Sequence, residues 1–302
     1  MSASNTNETQ ADPFHYKAIQ YALDYSFYLE LFVIPTLSYI ETLARNAGEI
    51  VRTGYNPRPG TSTQLEISYK GPIDLVTDID IRSETYLINE ISSRFPGQRI
   101  VSEESGLTEG NGDGMWLIDP LDGTINFAHG IPIFSVSVAF VNDGQVQLGV
   151  VYDPMRDECF SAEHSQGSWL NGERLHTATS DSLDHSLLVT GFPYNIRTAA
   201  NTNLGHYADF SLRSMGVRRL GSAALDLCYV AAGRFDGYWE TSINAWDIAA
   251  GILIAEEAGV RVTKTDGDPK VLALPLSIAA ANPKLHTQIL ELLNNGPSST
   301  TP

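Results

Sequence analysis

The sequence predicts a layered α/β protein in which helices sandwich sheets, and three observations carry that expectation. Amphipathic helical runs alternate with short apolar strands along most of the 302 residues. Ser135 to Phe140 and Val146 to Tyr152 flank Asn142-Asp143-Gly144, a hairpin signal that makes this part of the sheet antiparallel. The composition, 42% hydrophobic and 18% charged, supplies core material for one large domain or two closely packed ones.

Taken in chain order, residues 1–12 and 296–302 are rich in Ser, Thr, Asn and Pro and read as loose tails. Tyr16 to Phe32 reads as a helix, with Pro35 opening the next near its first turn. Leu37, Ile40, Leu43, Ala44, Ala47, Ile50 and Val51 recur at the spacing of one helical face, which Gly54 and Pro57 end. A strand at Leu65 to Tyr69 precedes a helix carrying Leu87, Ile88, Ile91 and Phe95, and strands follow at Arg99 to Ser102 and Met115 to Ile118. Asn171-Gly172 marks another turn.

Beyond about Ser182 the pattern gives strand Leu187 to Thr190 and helices near Asn201 to Leu212 and Ser222 to Ala232. Strand Gly237 to Glu240, helix Asp247 to Ala258, strands Val260 to Thr263 and Ser277 to Ala280, and helix Pro283 to Leu293 complete it. The change of pattern divides the body into an α+β part, 13–185, and an α/β part, 186–295. No internal repeat is found.

Charge bounds the partners. With 36 acidic against 19 basic side chains and a net charge of −17, the chain repels nucleic acid and anionic membranes, so neither is expected as a partner. An anionic substrate would need local positive charge, which bound metal ions can supply. Cys159 and Cys228 stand far apart outside any CxxC spacing, which fits a reducing compartment and offers no zinc site. No basic leader precedes an apolar run, and Phe27 to Ile40, interrupted by Glu30 and Pro35, is too short to span a bilayer, so a cytoplasmic location is expected.

One stretch breaks the usual balance of charge. Between residues 100 and 128 stand Glu103, Glu104, Glu109, Asp113, Asp119 and Asp122, with no Lys or Arg. Two carboxylates 4 Å apart repel by roughly 4 kcal/mol at an effective dielectric of 20, so a fold that gathers several must protonate one or bind a cation. Glu109 and Asp113, among glycines, read as acids of a solvated loop. Asp119-Pro120-Leu121-Asp122-Gly123-Thr124 differs, because it follows an apolar strand and Pro120 fixes the backbone and donates no hydrogen bond. The two carboxylates and the Leu121 carbonyl can then converge as hard oxygen ligands suited to Mg²⁺. Thr124 to His129 can begin a helix whose N–H groups receive an anion. An Asp-Pro turn with Asp122 as a helix cap is the plainer reading, and it leaves Asp119 unexplained. Asp247, after Asn244-Ala245-Trp246, and Asp74 and Asp80 also read as cap or turn residues, a role compatible with ligation because a carboxylate has two oxygens.

Together these pieces resemble the inositol monophosphatase family. Trp116 to Phe127, reading WLIDPLDGTINF, matches the family's first signature, and Trp246-Asp247-Ile248-Ala249-Ala250-Gly251 with Glu257-Ala258-Gly259 matches the second. Glu103-Glu104-Ser105, Asp74-Leu75-Val76-Thr77 with Asp80, and Gly221-Ser222-Ala223-Ala224-Leu225 occur in the expected order, and the likeness runs from about Pro35 to Leu293.

The resemblance implies the layered sugar-phosphatase fold, a homodimer, and a Mg²⁺-dependent, Li⁺-sensitive hydrolase acting on a small phosphorylated polyol or sugar. The part 13–185 would carry metal and phosphate. It further implies two to three Mg²⁺ ions per site: a first held by Glu103, Asp119 and the Leu121 carbonyl, a second by Asp119, Asp122 and Asp247, and a weaker third near Glu103. Asp80 and Thr124 would orient the attacking water, making Glu103, Thr124 and Asp80 the catalytic set. Gly123 and Thr124 amides would hold phosphate, while Ser222, Ala223, Glu240 and Asp247 would face the substrate. One ion would lower the pKa of water while another neutralises the leaving oxygen.

Ser222 stands where Thr is common in the family, Asn244 replaces a frequent His, and Lys70 to Asp74 is one residue shorter than in animal members. Glu240 suits a polyol hydroxyl, so inositol phosphate is the favoured substrate. The alternatives are fructose 1,6-bisphosphate, histidinol phosphate or an NADP phosphate, and, from another class, a catalytically silent metal-binding regulatory subunit. The segment before Pro35 is unusual for the family.

Overall fold

The first helix shows how the apolar spacing becomes a packed layer. In the computed structural model, which describes residues 34–57, 67–69 and 75–295, helix α1 (Leu37–Gly54) buries Ile40, Leu43, Ala44, Ala47 and Val51 on one face. Thr36 caps it by accepting from the Tyr39 N–H, so Pro35 lies just before the cap and not in the first turn. The expected helix Tyr16 to Phe32, both tails and Asp74 lie outside the described residues. A short antiparallel ribbon, β1 (Ile67–Tyr69) and β2 (Leu75–Thr77), leads into α2 (Asp78–Arg94).

The larger sheet is built from β3 (Arg99–Ser102), β4 (Gly106–Thr108), β5 (Met115–Asp122), β6 (Ser135–Asn142), β7 (Gln145–Asp153), β8 (Glu158–Glu163), β9 (Gly167–Leu170) and β10 (Glu173–Arg174). Its order is β10-β9-β8-β7-β6-β5-β3-β4. Only β3 and β5 run parallel among these neighbours. The expected hairpin is β6–β7, and Asp143 and Gly144 supply the positive φ values of its turn. A short helix, α3 (Thr124–Ala128), follows β5.

The smaller sheet contains β11 (Leu187–Thr190), β12 (Gly216–Arg218), β13 (Gly237–Glu240), β14 (Arg261–Thr263) and β15 (Ile278–Ala281), in the order β12-β11-β13-β15-β14. Helices α4 (Leu204–Ser211), α5 (Ala223–Ala231), α6 (Ala245–Glu257) and α7 (Pro283–Asn294) complete the chain. Apart from β2, β4, β8, β9, β10 and β12, which are short or lack an apolar run, the strands match the sequence reading to within a few residues.

Strand alternation sorts the core into layers. Trp116 and Ile118 of β5 face α1 and α2 together with Val136, Val138 and Phe140. Leu117, Ala139 and Val141, on the opposite face, join a core built around α5 and α6 that also takes in Val189, Tyr238, Ile278 and Ala280 of the second sheet. The far face of that sheet, with Leu188, Trp239, Ala279 and Ala281, packs on Phe210 of α4 and on Leu285, Ile289 and Leu293 of α7. The layers therefore run helix, sheet, helix, sheet, helix, which is the expected sandwich. The middle layer puts the first turns of α5 and α6 beside the end of β5.

Candidate metal centre and substrate cleft

The acids converge because an apolar strand carries them into the core. β5 continues past Ile118 to Asp122, and every residue from Trp116 onward is buried. Its pairing with β6 slips between Asp119, opposite Ser137, and Asp122, opposite Ser135. Pro120 has no N–H to give the ladder, so the strand bulges there, and the Ser83 hydroxyl takes up the Pro120 carbonyl at 2.8 Å. The Leu121 N–H folds back to Asp119 Oδ1 at 3.0 Å. Gly123 then turns the chain at φ +99°, where an added Cβ would lie 2.9 Å from the Ile133 carbonyl.

Each remaining acid has its own support. Asp247 is the third residue of α6, and one oxygen accepts from the Asn244 N–H at 3.0 Å, so the capping role holds. Glu103 follows β3 in a turn tied down by Glu84, whose Oε1 accepts from the Ser102 hydroxyl and, at 3.1 Å each, from the Glu104 and Ser105 N–H groups. Asp122 Oδ2 accepts from the Ser222 hydroxyl at 2.6 Å and the Ala224 N–H at 2.8 Å, which locks β5 to the start of α5. Asp80 Oδ2 caps α2 by accepting from the Thr77 N–H at 2.9 Å, and its Oδ1 lies 2.9 Å from the Thr124 hydroxyl. That hydroxyl is also 2.9 Å from the Leu121 carbonyl.

The consequence is a cleft in which acidic side chains crowd together. Glu103, Asp119 and Asp247 each offer an oxygen, all within 4.8 Å of one another. Asp122 lines the same cleft but falls outside this tight group, so the grouping crosses the two ligand sets expected from the sequence. Burial first, then Glu103, Asp122 and Asp247, push the Asp119 carboxyl well above the usual carboxylate range. Asp247 is raised by burial and then by Asp122 and Glu103. Burial brings Asp122 and Asp80 to about 6, against the hydrogen bonds that hold their charged forms. Adjacent ligands on an octahedral Mg²⁺ lie about 3.0 Å apart and opposite ones about 4.2 Å, so a span of 4.8 Å closes with a shift below about 1 Å. The donor set is all oxygen and strongly anionic, and it fits a hard divalent cation.

The cleft beside these acids encloses about 60 Å³ and is lined on its far wall by Ser222, Ala223, Asp226, Glu240 and Arg219. Burial pushes the Glu240 carboxyl up to about 8, against the pull of the Tyr238 hydroxyl and the Arg219 guanidinium. Gly191 leaves room for that carboxylate, since a Cβ there would sit 1.7 Å from Glu240 Oε1. Gly123, Thr124, Phe192, Tyr194 and Ile243 form the rest of the wall.

The structure therefore gathers Glu103, Asp119, Leu121, Asp122, Thr124, Asp80, Gly123, Ser222, Ala223, Glu240 and Asp247 around one cleft and its base. Sequence reasoning missed Glu84, Asn126, Arg219 and Asp226. Asn126 ties the cleft rims by donating to the Ile133 and Leu220 carbonyls at 2.8 Å each. A charged residue inside the apolar run AALDLCYVAA was the available signal for Asp226.

Known proteins resemble this chain in sequence and fold. The model of the inositol monophosphatase family matches residues 35–298. The Nus factor SuhB of Escherichia coli (strain K12) is 42% identical over 252 residues, covering 83% of this chain and 92% of the relative. The inositol-1-monophosphatase of Caulobacter vibrioides is 39% identical over 254 residues, covering 83% and 94%. Among solved structures, inositol monophosphatase from Anabaena (Nostoc) sp. PCC 7120 superposes with a TM-score of 0.76 at 37% identity, covering 87% of this chain and 97% of that one. With its fold, its acid set and these relatives in agreement, the chain belongs to the inositol monophosphatase family.

Proposed function

We propose that the protein is a Mg²⁺-dependent phosphomonoesterase acting on inositol monophosphate or a similar polyol phosphate. The observation that carries this reading is the convergence of half-buried Glu103 with buried Asp119 and Asp247, the last two held well above the usual carboxylate range by burial and by neighbouring acids, so that a divalent cation favours their ionised forms. These residues, with Asp122 and the Leu121 carbonyl, would hold two to three Mg²⁺ ions. Bound ions supply the charge that attracts the ester, acidify water and neutralise the leaving oxygen.

The chain's own groups do the positioning. The Thr124 hydroxyl has one proton and two acceptors at 2.9 Å. When it donates to Asp80, its lone pairs can accept from a water and fix that water's direction of attack, and Asp80, ionised above about pH 6, favours this arrangement. Gly123 and Thr124 amides would bind the phosphate, and Ser222, Ala223 and Glu240 the alcohol. Phe192, Tyr194 and Ile243 add aromatic and apolar surface to the cleft wall.

The relatives named Nus factor SuhB favour a second reading, a regulatory factor in which the metal site is structural. The complete acid set favours chemistry over silence. Phosphate release from inositol 1-phosphate, fructose 1,6-bisphosphate, histidinol phosphate and NADP, with and without Mg²⁺ and Li⁺, tests the proposal. Mg²⁺-dependent release that is fastest from inositol 1-phosphate and inhibited by Li⁺ is expected, and release from none of the esters refutes it.

A further inference from the structure

Asp226 takes no part in the expected acid set, yet it lines the same cleft. It stands one helical turn after Ser222 and so shares that residue's side of α5. It is 1% exposed, and its Oδ1 has no hydrogen-bond partner among the described residues. Glu240 and Arg219 line the cleft beside it. A buried carboxylate oxygen without a donor costs free energy, and a fold retains such a group where a ligand brings the donor. Asp226 is not among the three acids whose oxygens approach within 4.8 Å of one another.

We propose that Asp226 is a specificity-determining residue that accepts a hydrogen bond from a substrate hydroxyl beyond the one held by Glu240, so that the far wall reads a neutral alcohol bearing several hydroxyls. The inference rests on the polyol phosphatase reading and deepens it. Arg219 already supplies positive charge next to the two carboxylates and can itself donate to a hydroxyl oxygen, which favours a neutral polyol over an amino alcohol. An alcohol with no hydroxyl beyond its ester oxygen leaves Asp226 without its donor.

The test compares wild type, Asp226→Ala and Asp226→Asn on inositol 1-phosphate, histidinol phosphate and p-nitrophenyl phosphate, all with Mg²⁺. Asp226→Ala is expected to lower kcat/KM for inositol 1-phosphate about 10- to 100-fold, mainly through KM, and that for p-nitrophenyl phosphate by less than about threefold. Asp226→Asn is expected to recover part of the loss, because its amide oxygen still accepts. Turnover of p-nitrophenyl phosphate also shows that each variant is folded. Equal losses on the two esters, no loss on inositol 1-phosphate, or preferential turnover of histidinol phosphate by wild type overturns the assignment. Wild type that releases phosphate from p-nitrophenyl phosphate but from no polyol ester, or from no ester at all, rejects the polyol reading and the subsite with it. That failure is visible before any variant is compared.

Discussion

Binding of Mg²⁺ should weaken sharply between pH 7.5 and pH 5.5, because the carboxyls that would hold it carry protons in its absence. For Asp122, at about 6, roughly a quarter is ionised at pH 5.5 and nearly all at pH 7.5, a difference worth about 0.8 kcal/mol, or fourfold in affinity. Asp119 and Asp247 are raised too, by burial and by the neighbouring acids, so their protonation acts in the same direction. A loss of at least about fourfold follows from Asp122. At a free Mg²⁺ concentration about 100 times its Kd at pH 7.5, binding stabilises the fold by about 2.7 kcal/mol, and a fourfold weaker Kd leaves about 1.9. At about 2 °C per kcal/mol for a chain of this size, thermal melting should rise by about 5 °C at pH 7.5 and by less than about 4 °C at pH 5.5. Without the ion the sign reverses. Carboxyls raised from 3.8 to about 6, those of Asp80 and Asp122, contribute stability that is complete below pH 3.8 and lost as the pH passes 6. Melting curves with Mg²⁺ or EDTA at both pH values check this. An equal Mg²⁺ shift at both, or a larger one at pH 5.5, refutes the reasoning.

Three further outcomes are expected. Asp247→Asn should lower kcat by several orders of magnitude while raising the melting temperature of the metal-free protein at neutral pH, since it replaces a buried acid that must take up a proton to fold without a cation; parallel kinetics and melting measure both. Gly191→Ala should displace the Glu240 carboxylate, from which the new Cβ would be 1.7 Å away, and raise KM for inositol 1-phosphate about tenfold with little effect on p-nitrophenyl phosphate. Glu84→Ala leaves the Glu104 and Ser105 N–H groups without their shared acceptor and should cost about 2–4 kcal/mol in urea unfolding, with weaker Mg²⁺ binding as the Glu103 turn loosens.

The acids that local chemistry marks were legible in the sequence. Asp119 and Asp122 stood out because an apolar strand and Pro120 fix where they end, and Asp247 because a helix start has a recognisable cap. That helices sandwich sheets was legible in the alternation of helical and strand patterns along the chain. What was not legible depends on chain segments meeting in space. That Asp122 is spent partly on anchoring α5, that Glu84 holds the Glu103 turn from another helix, and that Asp226 and Arg219 join Glu240 are facts of packing between elements roughly 20 to 100 residues apart. The early end assigned to the Met115 to Ile118 strand has a similar cause: a proline reads locally as a stop, yet a bulge lets the strand continue.

The central claim is that carboxylates drawn from β5, α6 and the turn after β3 hold divalent ions that enable ester hydrolysis. Its most direct test is a Mg²⁺ titration of phosphate release from inositol 1-phosphate by wild type and Asp119→Asn. The account predicts saturable activation of wild type and a loss of several orders of magnitude in the variant. Release that is indifferent to Mg²⁺, or a variant as active as wild type, contradicts it.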